Sequence, residues 1–216
     1  TLGTGLRAED RWLPGRRPYT DTRLLAGIIA TVQDRIYTRD RRVAISTFFL
    51  SFAARLWSIG VGGLAGYQLV PDLAAAQLLF REDDGQIRLH AERPVAWRGD
   101  GLPQQLADLV LETHLVPLAA AVQRLASISE KVLQGNTASA LLGAAQVFDR
   151  YRSDSTPGPG WQLARRLCQD QRLSGAIQFS DNGLSYRRLS CCLYYRTPAG
   201  GLCGDCILGQ RTRCPS

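Results

Sequence analysis

Apolar positions at Leu24, Leu25, Ile28, Ile29, Val32 and Ile36 recur at the spacing of one helical face, which predicts a helix capped by Asp21 or Thr22. The charged turn Arg39 to Arg42 separates it from a nearly continuous apolar run. That run predicts a buried helix over 43–58, ended by the glycines at 60, 62, 63 and 66. Pro71-Asp72 then predicts a short helix or turn. The period changes at Gln77–Glu82 and Gln86–Ala91, which flank Asp83-Asp84-Gly85 and predict a hairpin. From Pro103 a helical pattern returns, with Leu106, Leu109, Val110 and Leu118 marking a helix to about Ser127. Pro117 should kink it, because the proline ring removes a donor and clashes with the preceding turn. Asn136 is suited to cap the next helix, 137–151, through its side-chain oxygen.

Ser153 to Gly160, Ser-Asp-Ser-Thr-Pro-Gly-Pro-Gly, reads as a linker. A short helix follows over Trp161–Cys168. Gly175–Ser180 and Leu184–Ser190 flank Asp181-Asn-Gly183, a second hairpin signal whose far strand runs into Cys191. The pattern gives an α+β fold. Residues 1–152 form a mainly helical part with one β-hairpin, 153–160 the linker, and 161–216 a small helix–hairpin part.

Composition is that of an ordinary globular chain of 216 residues, with 45% hydrophobic and 21% charged positions. The formal net charge is +7. From Trp161 onward, eight arginines face three aspartates, a balance of +5. Such a face attracts anionic partners. Nucleic acid is not expected, since no basic helix or aromatic RNA-binding motif accompanies the charge. Residues 1–20 lack the apolar core of a signal peptide, and no cysteine precedes Cys168, so a cytoplasmic location is expected. Val43 to Val70 is apolar enough to suggest a membrane span, but Arg55 near its middle and its glycines favour a core helix, without stable membrane insertion. His90 and His114 lie far apart and read as structural.

Chemistry concentrates near the end of the chain, where Cys191, Cys192, Cys203 and Cys206 form a C-C-x10-C-x2-C pattern. Four thiolates this close can hold a [2Fe–2S] cluster, hold zinc, or pair as disulfides. Structural zinc sites usually show two separated knuckles, whereas here one half is an adjacent pair. Neighbouring side chains of a strand point to opposite faces, so both Cys191 and Cys192 reach one site only if the strand ends or bends there. Spacing leaves the three possibilities open. Cys168 and Cys214 stand outside the motif and are expected not to be ligands.

The motif resembles the signature of FhuF-type ferric siderophore reductases. The context Arg187-Arg188-Leu-Ser before the pair, Tyr-Tyr-Arg196 after it, and Gly-Gly-Leu-Cys-Gly-Asp-Cys at the far end are similar too. Upstream, Ala53-Ala-Arg55-Leu-Trp57, Pro71-Asp72-Leu73, His114-Leu-Val-Pro117-Leu and Gly135-Asn136-Thr-Ala-Ser resemble the helical part of that family. Ile207 and Gln134 depart from its pattern, which often has proline and tryptophan there. The resemblance implies a [2Fe–2S] cluster on the four motif cysteines and one-electron reduction of a ferric siderophore, fed by a ferredoxin or reductase. Tuning groups would be the amides of Gly204 and Asp205 and the charges of Arg188 and Arg196. The substrate surface would combine the cluster loop with Arg55, Trp57 and His114. A ferredoxin-like electron carrier and a zinc-stabilised binding module are the alternatives.

Overall fold

The computed structural model describes residues 12–83, 86–150 and 157–210. The chain enters through strand β1 (Leu13–Pro14) and the one-turn helix α1 (Arg17–Thr20). Helix α2 (Thr22–Arg35) starts where expected: the Asp21 carboxylate accepts from the Leu24 amide at 2.9 Å. Its apolar stripe buries Leu25, Ile28, Ile29 and Val32, while Leu24 and Ile36 stay partly exposed.

Helix α3 (Arg41–Tyr67) is the axis of the molecule, and it corrects one expectation. Its glycines do not end it. Glycine costs a helix interior roughly 1 kcal/mol relative to alanine, but here close packing requires it. A Cβ on Gly60 would lie 2.4 Å from Leu106 Cδ1, and one on Gly63 would lie 2.7 Å from Pro71 Cδ. The helix ends instead at Gln68, which turns into the left-handed region at φ 54°. Phe48, Phe49, Phe52, Leu56 and Trp57 on α3 are fully buried. Burying each such side chain contributes about 1.5–3 kcal/mol.

Pro71 starts no helix: β2 (Val70–Pro71) is a short strand, and Asp72 caps the following turn by accepting from Ala74. Strands β3 (Leu78–Asp83) and β4 (Gln86–Ala91) form the expected hairpin, with Phe80 opposite Leu89, and β1 adds to its edge beside β3. β5 (Ala96–Trp97) pairs antiparallel with β2. The expected kink at Pro117 becomes a π-helical turn, Leu111–Leu115, between α4 (Leu102–Val110) and α5 (Val116–Leu125). The Val116 amide reaches back to the Leu111 carbonyl, a wider loop than the α-helical bond, and Pro117 falls in the first turn of α5, where a proline does no harm.

Helix α6 (Glu130–Asp149) begins after Ser129, so Asn136 lies deep inside it rather than at its start. Small residues along α6, among them Ala138, Ala140, Ala144 and Ala145, let it approach α3 closely. Residues 153–156 of the expected linker fall outside the described residues. Pro159 and Gly160 belong to the first turn of α7 (Pro159–Leu167), where the Asp149 carboxylate accepts from the Gly160 and Trp161 amides. One buried apolar cluster runs from α2 and α3 through α6 to Trp161 and Leu167. β6 (Ile177–Phe179) and β7 (Tyr186–Arg188) form the second hairpin. The fold is α+β, as the sequence pattern predicts. Arg41–Tyr67 and Leu102–Leu125 are long and apolar enough to cross a membrane, and much of each lies in the core.

Candidate iron–sulfur site

β7 ends at Arg188, and the chain bends at Leu189 and Ser190 before the adjacent cysteines. The strand has therefore stopped where the pair needs it to stop. Cys192 is buried and Cys191 half-buried. Leu193 sits in the left-handed region at φ 68°, which aims its amide at Cys191 Sγ, 3.3 Å away. A non-glycine residue there stores about 1–3 kcal/mol of strain, a cost met mainly at functional sites. A 3₁₀ turn, Tyr194–Arg196, carries the chain round to Cys203. The Cys206 amide donates to the Cys203 carbonyl at 3.0 Å, closing the C-x2-C turn, and the Leu208 amide meets Cys206 Sγ at 3.4 Å. The amides that meet sulfur are thus those of Leu193 and Leu208, not the expected Gly204 and Asp205.

A buried polar network fixes this loop to α3 and α6. Arg188, 2% exposed, forms an ion pair with Asp205 through Nε at 2.8 Å. Its two terminal nitrogens donate to Asn136 Oδ1 at 2.8 Å, and to Asp205 Oδ1 at 3.0 Å and Cys203 Sγ at 3.5 Å. Asn136 Nδ2 donates to the Ser46 carbonyl at 3.1 Å and to its hydroxyl at 2.9 Å. The Ser46 hydroxyl donates to the Cys192 carbonyl at 2.6 Å. Ser139 holds the other oxygen of Asp205 at 2.6 Å, and Ser190 donates to the Lys131 carbonyl at 2.7 Å. At Gly135 a Cβ would come within 2.2 Å of Ser190 Oγ, so the loop rests on bare backbone of α6.

Burial, followed by the adjacent Cys192 thiol, pushes the Cys203 thiol up to about 12, and burial also raises Cys191. Burial lowers the Arg188 pKa, but Asp205 and the Cys192 and Cys203 sulfurs more than offset it. The Cys192 and Cys203 sulfurs lie 3.2 Å apart. That is well beyond a disulfide bond of about 2.05 Å, and the five described cysteines are free thiols. Among the described residues no three His, Cys, Asp or Glu side chains are drawn together tightly enough to hold a single metal ion as they stand. The donor set nonetheless fits an all-thiolate centre: four sulfurs on one loop, with N–H groups directed at three of them.

Other predicted site residues lie elsewhere. Arg196 is on the cluster loop, half-exposed, and bonds to Asp40 at 3.4 Å, which ties the loop to the start of α3. Arg55 lies about 13 Å further along α3 than Ser46 and roughly half a turn round it. There it bonds to Ser51 and lines an open groove with Trp12, Arg81 and Arg88. Trp57 is wholly buried in the core, and its indole N–H has no partner among the described residues. His114 is buried too; its Nε2 donates to the Leu73 carbonyl, so its Nδ1 accepts from the Tyr19 hydroxyl. Packing gives Trp57 and His114 no surface to offer a substrate. Cys168 packs beside the core, and burial raises its thiol to about 12. Cys214 lies outside the described residues.

Residues that the sequence reading missed are Ser46, Ser139 and the carboxylate of Asp205. The available signal was polarity out of place: Ser46 interrupts the apolar run of α3, and Asn136 interrupts that of α6. A groove of about 440 Å³ opens beside the site, lined by Gln178, Ser180, Asp181, Arg187, Cys203 and Cys206 among others.

Residues 188–206 match the family model described as the FhuF 2Fe-2S C-terminal domain. No curated protein matches the chain. The match begins at the buried arginine and ends at the last motif cysteine, the span that the network clamps to α3 and α6; in this segment the chain is similar to the FhuF 2Fe-2S C-terminal domain.

Proposed function

We propose that the chain is a ferric siderophore reductase, in which Cys191, Cys192, Cys203 and Cys206 hold a [2Fe–2S] cluster. One electron reaches a ferric siderophore docked at the cysteine loop, and the iron leaves as Fe(II). The observation that carries this reading is the placement of four thiols on one clamped loop that matches the FhuF 2Fe-2S C-terminal domain. When bound, an all-thiolate centre of this type supplies a single electron at low potential, near about −400 mV. Siderophores bind through hard oxygen donors that suit Fe(III) far better than Fe(II). Each tenfold preference lowers the chelate's potential by about 59 mV, so a weak donor would fail and a low-potential one is needed.

The chain's own residues have three tasks here. Ser46, Asn136 and Arg188 hold the loop in place, the Leu193 and Leu208 amides support the sulfurs, and the groove beside Cys203 and Cys206 receives the chelate. Its volume falls within the roughly 300–1,000 Å³ typical of small-molecule sites. The electron donor would be a ferredoxin or reductase. A cytoplasmic location would suit cysteines that must stay reduced to hold a cluster.

The test is made on protein purified without oxygen. About two irons and two acid-labile sulfides per chain are expected. Mixing the reduced protein with a ferric siderophore and a ferrous trap should release Fe(II) at the rate of cluster oxidation. Zinc without sulfide would point to a binding module. A cluster that exchanges electrons with a ferredoxin but not with any chelate would point to an electron carrier.

A further inference from the structure

Both halves of the cysteine motif end in the same buried chain of hydrogen bonds. The chain starts at the Cys192 carbonyl, runs through the Ser46 hydroxyl and the two ends of the Asn136 amide to Arg188, and finishes at Cys203 Sγ. Cys191 and Cys206 receive backbone amides instead, from Leu193 and Leu208. The Cys192 and Cys203 sulfurs are 3.2 Å apart. Two thiolates on one tetrahedral metal stand about 3.8 Å apart, from metal–sulfur bonds of about 2.3 Å, so a small opening of this pair seats one iron. Thiolates on different irons are kept further apart by the bridging sulfides.

We infer that Cys192 and Cys203 share one iron of the proposed cluster, and that Arg188, held by Asn136 and Asp205, directs the added electron to that iron. The inference rests on the cluster reading above. The step is one electron in, supplied by the donor protein; no bond forms or breaks and no proton moves. The electron adds one negative charge, which settles where positive charge is nearest. Arg188 is cut off from solvent, so its field at Cys203 is weakly screened. Asp205 pairs with the guanidinium and opposes it, but the guanidinium is the member of the pair whose N–H meets the sulfur, 3.5 Å from Cys203 Sγ. Asn136 and Ser46 touch no sulfur. They act by fixing the guanidinium and the Cys192 backbone to the same two helices.

The experiment uses the full chain, loaded with ⁵⁷Fe and purified without oxygen. Iron and sulfide content, midpoint potential, and the Mössbauer and EPR spectra of the dithionite-reduced state are measured. Arg188→Gln keeps a hydrogen-bond donor and removes the charge. Its potential should fall so that the reduced-to-oxidised ratio at a fixed poise drops at least tenfold, about 59 mV for one electron. Arg188→Lys should recover much of the loss, Asn136→Ala should shift the same way by less, and Arg196→Gln should not shift. Cys192→Ser and Cys203→Ser should give reduced-state EPR spectra that resemble each other and differ from those of Cys191→Ser and Cys206→Ser. If the unaltered protein holds no iron and sulfide, the cluster reading fails. If it holds both and the Arg188 and Asn136 variants keep its potential, this inference alone fails. Spectra that pair Cys191 with Cys203 would also overturn it. Should Arg188→Gln not retain iron, the direction of the Asn136→Ala shift decides.

Discussion

Replacing Asn136 by alanine asks whether one amide joins the cysteine loop to the helices. The side chain is wholly buried and makes three hydrogen bonds: to the Ser46 carbonyl at 3.1 Å, the Ser46 hydroxyl at 2.9 Å and Arg188 at 2.8 Å. These losses are unequal. The Ser46 hydroxyl keeps its bond to the Cys192 carbonyl. Arg188 loses a neutral acceptor in a place water does not reach, and a buried donor left unsatisfied costs about 1–3 kcal/mol, more when charged. The small cavity adds about 1 kcal/mol. The total is about 2–4 kcal/mol, against a typical whole stability of about 5–15 kcal/mol. In urea this moves the midpoint down by about 1–2 M with an unchanged slope. A double-mutant cycle with Ser46→Ala should show a coupling of about 0.5–3 kcal/mol, because the two residues share partners. A loss below about 1 kcal/mol with no coupling to Ser46 would refute the reasoning, since it would mean that Arg188 finds its acceptor elsewhere.

Burial holds the His114 pKa below its ordinary 6.5, so the unfolded chain takes up a proton that the folded chain refuses. Stability is therefore full above that value and falls as pH drops below it; urea midpoints at pH 8 and pH 5.5 should separate, and His114→Gln should narrow the gap. Gly135→Ala places a Cβ 2.2 Å from Ser190 Oγ, which should lift the loop off α6 at a cost of about 1–3 kcal/mol and speed iron loss in a chelator challenge. Cys168→Ser should keep its iron, and native Cys168 should resist alkylation at pH 8, because burial keeps its thiol protonated up to about 12. Arg196→Glu should leave stability little changed, as for other exposed pairs. It should, however, weaken the fall in rate with rising salt for an anionic chelate, measured by stopped-flow oxidation of reduced protein.

What the sequence revealed of this fold depends on how local each signal was. Asp21 caps α2, and Asp181-Asn-Gly183 connects β6 to β7, because those residues act on their immediate neighbours; Asp84 and Gly85 of the other hairpin signal lie outside the described residues, but the strands on either side pair as expected. The glycines of α3 misled for the opposite reason. At Gly60 and Gly63 their meaning lies in Leu106 and Pro71, residues beyond the end of the helix, which demand a surface without a Cβ. Asn136 misled in the same way: its side chain has the chemistry of a cap, but its acceptor and donors are spent on Ser46 and Arg188 across two other elements. The charge count says nothing of where each charge lies. Arg188 and Asp205 enter the +5 balance of the last segment with opposite signs and pair in the interior, so neither belongs to an outward face, and Arg196 is drawn to Asp40. The four cysteines were legible because metal chemistry needs a particular set of atoms whatever surrounds them. The groove beside them was not, since it is made by the shape of β6 and β7 against the C-x2-C turn rather than by any residue type. On the proposed function, that contrast says where specificity should change without loss of the cluster: substitutions at Gln178, Ser180 or Arg187 should alter what the groove accepts, whereas Ser46, Asn136 and Arg188 are committed to the loop itself.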